Sequence, residues 1–460
     1  MSHPTTPQVG WHRHQLTTGP DLPFENLLTP DQIDHAVRAD GVRFRARMST
    51  PAVTLWAFLW QVVDPNGSCH DAVLRVIGWC VRIGRQPPST DTGAYGKARG
   101  RLPFGVIRQL AREVADRTAD HTRAKERWRG HRVRVVDGTT VSMPDTPANQ
   151  AAFPQPRTQA RGIGFPIARL VAVFGLGCGS ALGWAVGRYQ GKGQGETSLA
   201  LGLLDEFAAG DVMLADRYYS GYGIVARAAA RGVHYVGRAH AARRVDFRRG
   251  RRLGAGDHVV TWVKPTARPA GWTATEWDAL PPTLDVREIR VIVRRPGFRT
   301  RRHVVVTTLR DPVGYPPTAL ADLYRRRWTA ELDLRALKVT LGMDVLRCQS
   351  PDLVRKEIGM HVLVYNLIRG VMAAAARAGR HAPRTISFAG AWSAIRGLAD
   401  IVCAAPATGW AILLRVVRAT RVGHRPDRVE PRVKKRRPKP HRLMKHPRDV
   451  LRQRLQRHKT

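Results

Sequence analysis

A handful of residues in this chain have types and spacings that could do chemistry together. Asp137 ends the apolar run in VRVVDGTT, Asp216 ends the run in VMLAD, and YRRRWTAELDLRALK carries Glu331 with Tyr324, Arg327 and Lys338. That last stretch has strong helix formers and no Gly or Pro, so it reads as one helix. At about 100° per residue, Tyr324, Arg327, Glu331 and Lys338 share one stripe, and Leu334, Leu337 and Leu341 lie round from it to supply a buried face. The plain use of Arg327 and Glu331 is a solvated i to i+4 pair worth about 0.3–0.5 kcal/mol. The plain use of each aspartate is to cap a turn after a strand. Ligands in α/β sheets, however, gather at the carboxyl ends of the strands, so both aspartates are aimed at one edge. If the helix packs there, three carboxylates meet with no evident counter-ions of their own. Like charges repel and drive their pKa values up, and a divalent metal site is the most economical explanation. Two Mg²⁺ ions about 3.5–4 Å apart (Mn²⁺ can substitute) would activate a water or a 3′-hydroxyl and stabilise the leaving oxygen during in-line attack at phosphorus. Arg327 and Lys338 then make sense as phosphate holders.

The elements that must position these groups can be read along the chain. Residues 30–39, 51–63, 69–83 and 104–117 are helical pieces of an N-terminal domain, separated by turns such as DPNGS and QPPSTDTG. From about residue 131 the pattern changes to strands, HRVRVVDGTTV, ARLVAVFGLG and ALGWAVGRYQ, closed by GKGQG. A helix over 196–208, the short strand DVMLAD, a helix from after Ser220 to Gly232 and the strand HYVGRA follow. Three strands in hairpin order and then alternating helices and strands predict a mixed α/β sheet of the ribonuclease-H-like kind. Residues 240–316 are basic, Pro-rich and strand-like, with VVTWVK, VREIRVIVRR and RHVVVTTL as strands of a β-rich insertion. Helical patterning resumes from 317 to 377, breaks near Gln349-Ser350-Pro351, and a further helical segment runs to about 419. The last forty residues, centred on VKKRRPKPHR, are too charged and Pro-rich to pack, and are expected to serve as a DNA-contacting arm. The expected division is therefore a helical DNA-binding domain over 1–125, a catalytic core over 126–239 and 317–378, the insertion between them, and C-terminal helices with a basic tail over 379–460.

The chain has 460 residues, 43% of them hydrophobic, enough for a core and two or three domains. A formal net charge of +40 is far beyond what solubility requires and attracts polyanions, chiefly nucleic acid. Only eleven of the 76 basic residues are lysine. Arginine suits bidentate phosphate contact, and a GC-rich genome produces the same bias. Cys69, Cys80, Cys178, Cys348 and Cys403 are scattered without zinc-finger spacing and read as buried thiols in a reducing compartment. MSHPTTPQVGWHRHQ lacks the apolar run of a signal peptide, and its His12 and His14 read as surface residues. The uncharged run Leu170–Gly187 contains five glycines and reads as a β-hairpin rather than a membrane span. A cytoplasmic, nucleoid-associated protein with no membrane partner is expected. GKGQGETS lacks the order of a phosphate-binding P-loop and reads as a turn before a helix.

The spacing of Tyr324, Arg327, Glu331 and Lys338 resembles the Tyr-Arg-Glu-Lys pattern of bacterial insertion-sequence DDE transposases, in the insertion-sequence-four family. The flank LGMDVLRCQSPDLVRKEIGMHVLVYNLIR is similar to that family's region after the Glu, and DGTTVSMPDTPANQAAFP, LADRYYSGYG and AYGKARGRLP extend the resemblance over about residues 50–370. The resemblance implies a ribonuclease-H-like core interrupted by a β insertion between the second Asp and the Glu, a gap of 115 residues here. It implies Asp137, Asp216 and Glu331 as catalytic metal ligands, and Tyr324, Arg327 and Lys338 as holders of phosphates at the element's ends. It also implies cleavage at both ends and joining of the freed 3′-hydroxyls to target DNA, within a homodimer or higher assembly. Trp328 fits the family pattern as a DNA contact, although a helical Trp is commonly core. Some relatives stack a flipped base on a Trp of the insertion, for which Trp262, Trp272 and Trp277 are candidates. Two other readings stay open: a DNA-binding protein that has lost the chemistry, and a metal-dependent nuclease that does not join strands.

Overall fold

The structure, a computed structural model, describes residues 24–41, 48–64, 66–120, 127–293, 301–423 and 443–457. His12, His14 and VKKRRPKPHR lie outside the described residues. Among the described residues five helices come first: α1 (Pro30–Ala39), α2 (Pro51–Val63), α3 (Cys69–Arg82), α4 (Gly93–Arg101) and α5 (Phe104–Asp120). Thr29, Thr50 and Ser68 each accept a hydrogen bond from a first-turn N–H of the helix that follows, satisfying donors that would otherwise be orphaned. Of these five, the sequence pattern failed to show α4, because its run GAYGKARGR mixes Gly and Arg all round the helix and leaves no apolar stripe to read.

Strands β1 (Val133–Ser142), β2 (Ile167–Gly175) and β3 (Ala181–Arg188) form an antiparallel meander, with α6 (Pro147–Ala152) between the first two. The Leu170–Gly187 run is the β2–β3 hairpin. After α7 (Glu196–Leu201), β4 (Val212–Ala215) adds to the other side of β1 in parallel, and after α8 (Tyr222–Ala230), β5 (His234–Arg238) adds in parallel to β4. The helix expected over 196–208 is shorter than predicted, passing into a 3₁₀ turn at Leu204–Glu206.

The strand-rich segment supplies β6 (Arg251–Gly254), β7 (Asp257–Val263), β8 (Thr283–Val293) and β9 (Arg301–Thr307), with α9 (Ala274–Asp278) between β7 and β8. These strands do not form a sheet of their own. β9 pairs antiparallel with the open edge of β5, giving one nine-stranded sheet in the order β3-β2-β1-β4-β5-β9-β8-β7-β6. A buried ion pair fastens the extension: Arg287 donates to both oxygens of Asp257, at 2.8 and 2.6 Å, and to the Tyr315 carbonyl at 2.7 Å.

The stretch expected to be one helix is three linked pieces: α10 (Pro317–Arg326), α11 (Trp328–Arg335) and a π-helical turn at Ala336–Thr340. At the first junction the bonding tightens to i→i−3: Arg327 N–H donates to Tyr324 O, and Ala330 N–H to Arg327 O. The backbone at Arg327 keeps helical angles, so the change is one of hydrogen bonding. Leu334, Leu337 and Leu341 are buried, as the spacing predicts. Next come α12 (Pro351–Ala378), α13 (Phe388–Gly397), α14 (Ala399–Ala404) and α15 (Pro406–Ala419). The tail, expected not to pack along its whole length, contains α16 (Arg448–Arg457), where Asp449 near the start and Arg454 and Arg457 near the end complement the helix dipole.

Among the described residues α12 is long and apolar enough to cross a membrane, but its apolar window is almost wholly buried in the protein. It runs against α5, and Asn366 clamps the contact by donating to Ala111 O and Ala181 O and accepting from Ala181 N–H. One apolar core joins α1, α2 and α5 to one face of the sheet and to the C-terminal helices. A second lies under the other face, against α7 and α8.

Candidate active site

Strand register brings the two aspartates together. β1 and β4 are in parallel register with Val136 opposite Ala215, the last such pair, so Asp137 and Asp216 are the next residue on each of two adjacent strands about 4.8 Å apart. Asp137 is not at the end of its strand, as the sequence suggested. β1 runs on to Ser142 against β2, and what stops at Asp137 is the parallel ladder with β4. The chain turns away after Ala215 because a 3₁₀ turn, Arg217–Tyr219, begins there. Asp216 occupies the N-cap position of that turn but makes no capping bond with its side chain. Its Oδ1 instead accepts from the Tyr324 hydroxyl at 3.4 Å. The turn-capping reading of Asp216 therefore fails.

Helix α11 packs over β1 and carries Glu331 to the same edge, where Arg327 links the acids. Its Nη1 lies 3.6 Å from Asp137 Oδ2 and its Nη2 donates to Glu331 Oε1 at 3.0 Å. The expectation that the carboxylates lack counter-ions is thus corrected: a guanidinium sits between two of them, because the i to i+4 spacing that stacks Arg327 beneath Glu331 also aims it at β1. Burial opposes the charge on Arg327, but the combined pull of Asp216, Glu331 and Asp137 outweighs it and raises the pKa above the ordinary arginine value. Asp137 is pushed up to about 6, first by burial. The Gly138 N–H, at 2.9 Å from Oδ1, and Arg327 pull it back, while Glu331 and Asp216 push it further up. Burial and then Asp216 raise the Tyr324 hydroxyl likewise.

Among the described residues no three acidic, His or Cys side chains converge closely enough to hold a metal ion as they stand. The donor set nonetheless fits a hard divalent cation: all its atoms are carboxylate oxygens, and Arg327 stands as a positive charge between Asp137 and Glu331. Asp137, Asp216 and Glu331 are the residues that could hold such an ion.

Lys338 has a partner of its own beyond α11. Its ammonium pairs with Asp344 Oδ1 at 2.9 Å. Lys338 lies within the π turn, whose hydrogen-bond pattern differs from that of α11. Trp328 is 52% exposed on the same helix, so the core reading of that side chain is wrong. The opposite holds for the insertion: Trp262, Trp272 and Trp277 are all buried, Trp262 with its indole N–H on Glu288 and the other two in edge contact with each other. None of the three is presented to a flipped base in this conformation.

Two acidic groups beside the site escaped the sequence reading. Asp333, two residues past Glu331, is fully buried and takes Arg369 from α12 and Arg384, the latter at 2.8 Å. Arg384 also donates to the carbonyls of Gly175 and Leu176. This pins α11 to the end of β2. Glu196, in GKGQGETS, opens α7 after the expected turn and lies against Gly138. A lone acid among helix formers gives no periodic signal for either role.

A family model described as a transposase DDE domain matches residues 128–367, which include all three acids, and the chain belongs to that family. The chain is a transposase of the insertion-sequence DDE type. Over 364 residues, covering 78% of each chain, it is 25% identical to transposase InsG for insertion sequence element IS4 of Escherichia coli (strain K12).

Proposed function

We propose that this transposase cleaves phosphodiester bonds at the ends of its own insertion element and transfers the 3′-hydroxyl ends into target DNA. Asp137, Asp216 and Glu331 are the catalytic acids. The single observation that carries the reading is the adjacency of the two aspartates where the β1–β4 ladder ends, with Glu331 tied to the same point through Arg327. The strand order β3-β2-β1-β4-β5, antiparallel on one side of β1 and parallel on the other, supports a ribonuclease-H-like core, which the segment after β5 extends. In domain terms we read 1–125 as helical and DNA-binding, 126–239 and 317–378 as the catalytic core, 240–316 as the insertion, and 379–460 as C-terminal helices and tail.

Divalent metal bound by the three acids would supply nucleophile activation and neutralise charge on the leaving oxygen. The rest falls to the chain's own residues. Arg327 exchanges its carboxylates for a DNA phosphate, for which its planar fork is suited. Tyr324 holds Asp216 by its hydroxyl and can contact a backbone phosphate next to it. Lys338 and the exposed Trp328 extend the contact along the element's end, with the net charge of +40 drawing DNA to the protein. Both ends of one element must be held, which calls for a homodimer or higher assembly.

Glu331→Gln tests the reading. It keeps size but removes a negative ligand, so end DNA should still bind in a gel shift while Mg²⁺-dependent cleavage falls by several orders of magnitude. Cleavage at the parent's rate would make Glu331 merely the surface partner of Arg327. Strand joining is read separately by supplying a pre-cut 3′-hydroxyl end; a protein that cleaves but never joins is a nuclease.

A further inference from the structure

A side chain at Gly138 would displace Glu196. A Cβ built there would lie 2.7 Å from the carboxylate carbon of Glu196 and 2.9 Å from its Oε2. Side chains alternate along a strand, so the direction left open at Gly138 is the face of the sheet opposite to the one Asp137 uses. Glu196 therefore sits beneath the strand, away from Arg327 and Glu331. Both of its oxygens are engaged: Arg169 Nη1 donates to Oε1 at 2.9 Å, and the Tyr219 hydroxyl donates to Oε2 at 3.3 Å. Arg169 stands opposite Thr140 on β2 and also donates to the Tyr189 carbonyl at 2.9 Å. Tyr219 is buried and closes the turn that begins at Asp216. One carboxylate thus touches the strand just after Asp137, the neighbouring strand and the turn just after Asp216.

We propose that Glu196 is a positioning residue that fixes the Asp137–Gly138 backbone relative to the Asp216–Tyr219 turn, and so sets the spacing of the two catalytic aspartates from the far face of the sheet. The inference rests on the catalytic reading of those aspartates. Glu196 is not one of the metal-holding acids, since it lies against Gly138 on the face of the sheet opposite to the one Asp137 uses. Its carboxylate packs directly on the backbone at Gly138, and a methyl group there would push it away from Arg169 and Tyr219.

The test compares full-length parent, Glu196→Ala, Glu196→Gln and Gly138→Ala, measuring cleavage of a duplex carrying the element's end as a function of Mg²⁺ concentration at saturating DNA. Outer partners of metal ligands are worth about 10–100-fold in metal affinity or activity. Glu196→Ala should lower the maximal rate by about that factor and raise the half-saturating Mg²⁺ concentration several-fold, with end binding retained. Glu196→Gln keeps the shape and a partner for Tyr219 and should recover much of the loss. Gly138→Ala should behave like Glu196→Ala although Glu196 is intact. A role in overall folding alone would scale the rate equally at every Mg²⁺ concentration and leave half-saturation unmoved, and that result overturns the proposal. So does a Glu196→Ala protein with the parent's rate and half-saturation. If Glu196→Ala does not fold, Glu196→Gln and Gly138→Ala carry the same comparison. A parent that never cleaves end DNA would instead overturn the catalytic reading, and the positioning role with it.

Discussion

Replacing Asp137 by Asn should make the metal-free protein more stable at neutral pH while removing its cleavage activity. Burial raises the Asp137 pKa from 3.8 to about 6. At about 1.4 kcal/mol per pH unit, that rise corresponds to about 3 kcal/mol against the ionised form in the folded protein. The side chain is only 16% exposed, so solvent screens little of this. Between pH 3.8 and about 6 the folded state binds more protons than the unfolded one. Stability therefore falls as pH rises through that window, and the whole cost is present above it. Asn has no charge to bury and can keep its oxygen on the Gly138 N–H. It gives up the attraction of Arg327, which retains Glu331, so a net gain of about 1–3 kcal/mol is expected at pH 7 and almost none near pH 4. Urea denaturation of parent and variant in EDTA at the two pH values measures it. Adding Mg²⁺ should then stabilise the parent and leave the Asp137→Asn variant unmoved, because only a site that binds the ion gains from it. A variant no more stable than the parent at pH 7, or one whose gain is the same at both pH values, would refute the argument from burial.

Asp333→Ala leaves Arg369 buried beside an uncompensated space and frees α11 from β2, so it should cost about 3–5 kcal/mol in urea denaturation; a loss under about 1 kcal/mol would mean that Asp333 does not anchor the helix. Removing the residues after about 425 should weaken DNA binding and flatten its salt dependence, each lost phosphate contact taking about 0.9 from the slope of log affinity against log salt. An unchanged slope in a binding titration across salt concentrations would make the tail a bystander.

The sequence by itself determined which residues could react and which elements carry them. Asp137 and Asp216 each end a run whose apolar character marks a buried strand, and the spacing of Tyr324, Arg327 and Glu331 puts them on one side of a helix whatever the fold does. Those signals are local: strand alternation and helical periodicity are written in consecutive residues. Tertiary structure alone decided the rest. That Asp137 and Asp216 are neighbours follows from the Val136–Ala215 register, a pairing between segments far apart in the chain. That Arg327 neutralises Asp137 follows from how α11 settles on β1. Lys338 found its partner in Asp344 beyond the π turn, and the insertion tryptophans became core because β9 found the open edge of β5 and closed that face over them. The brace from Glu196 to Gly138 and the anchor from Asp333 to Arg369 and Arg384 join residues with no periodic relation, and only packing could reveal them. Burial, too, is a property of the assembled fold, which is why the sequence could name the carboxylates but not the charge that Asp137 carries at a given pH.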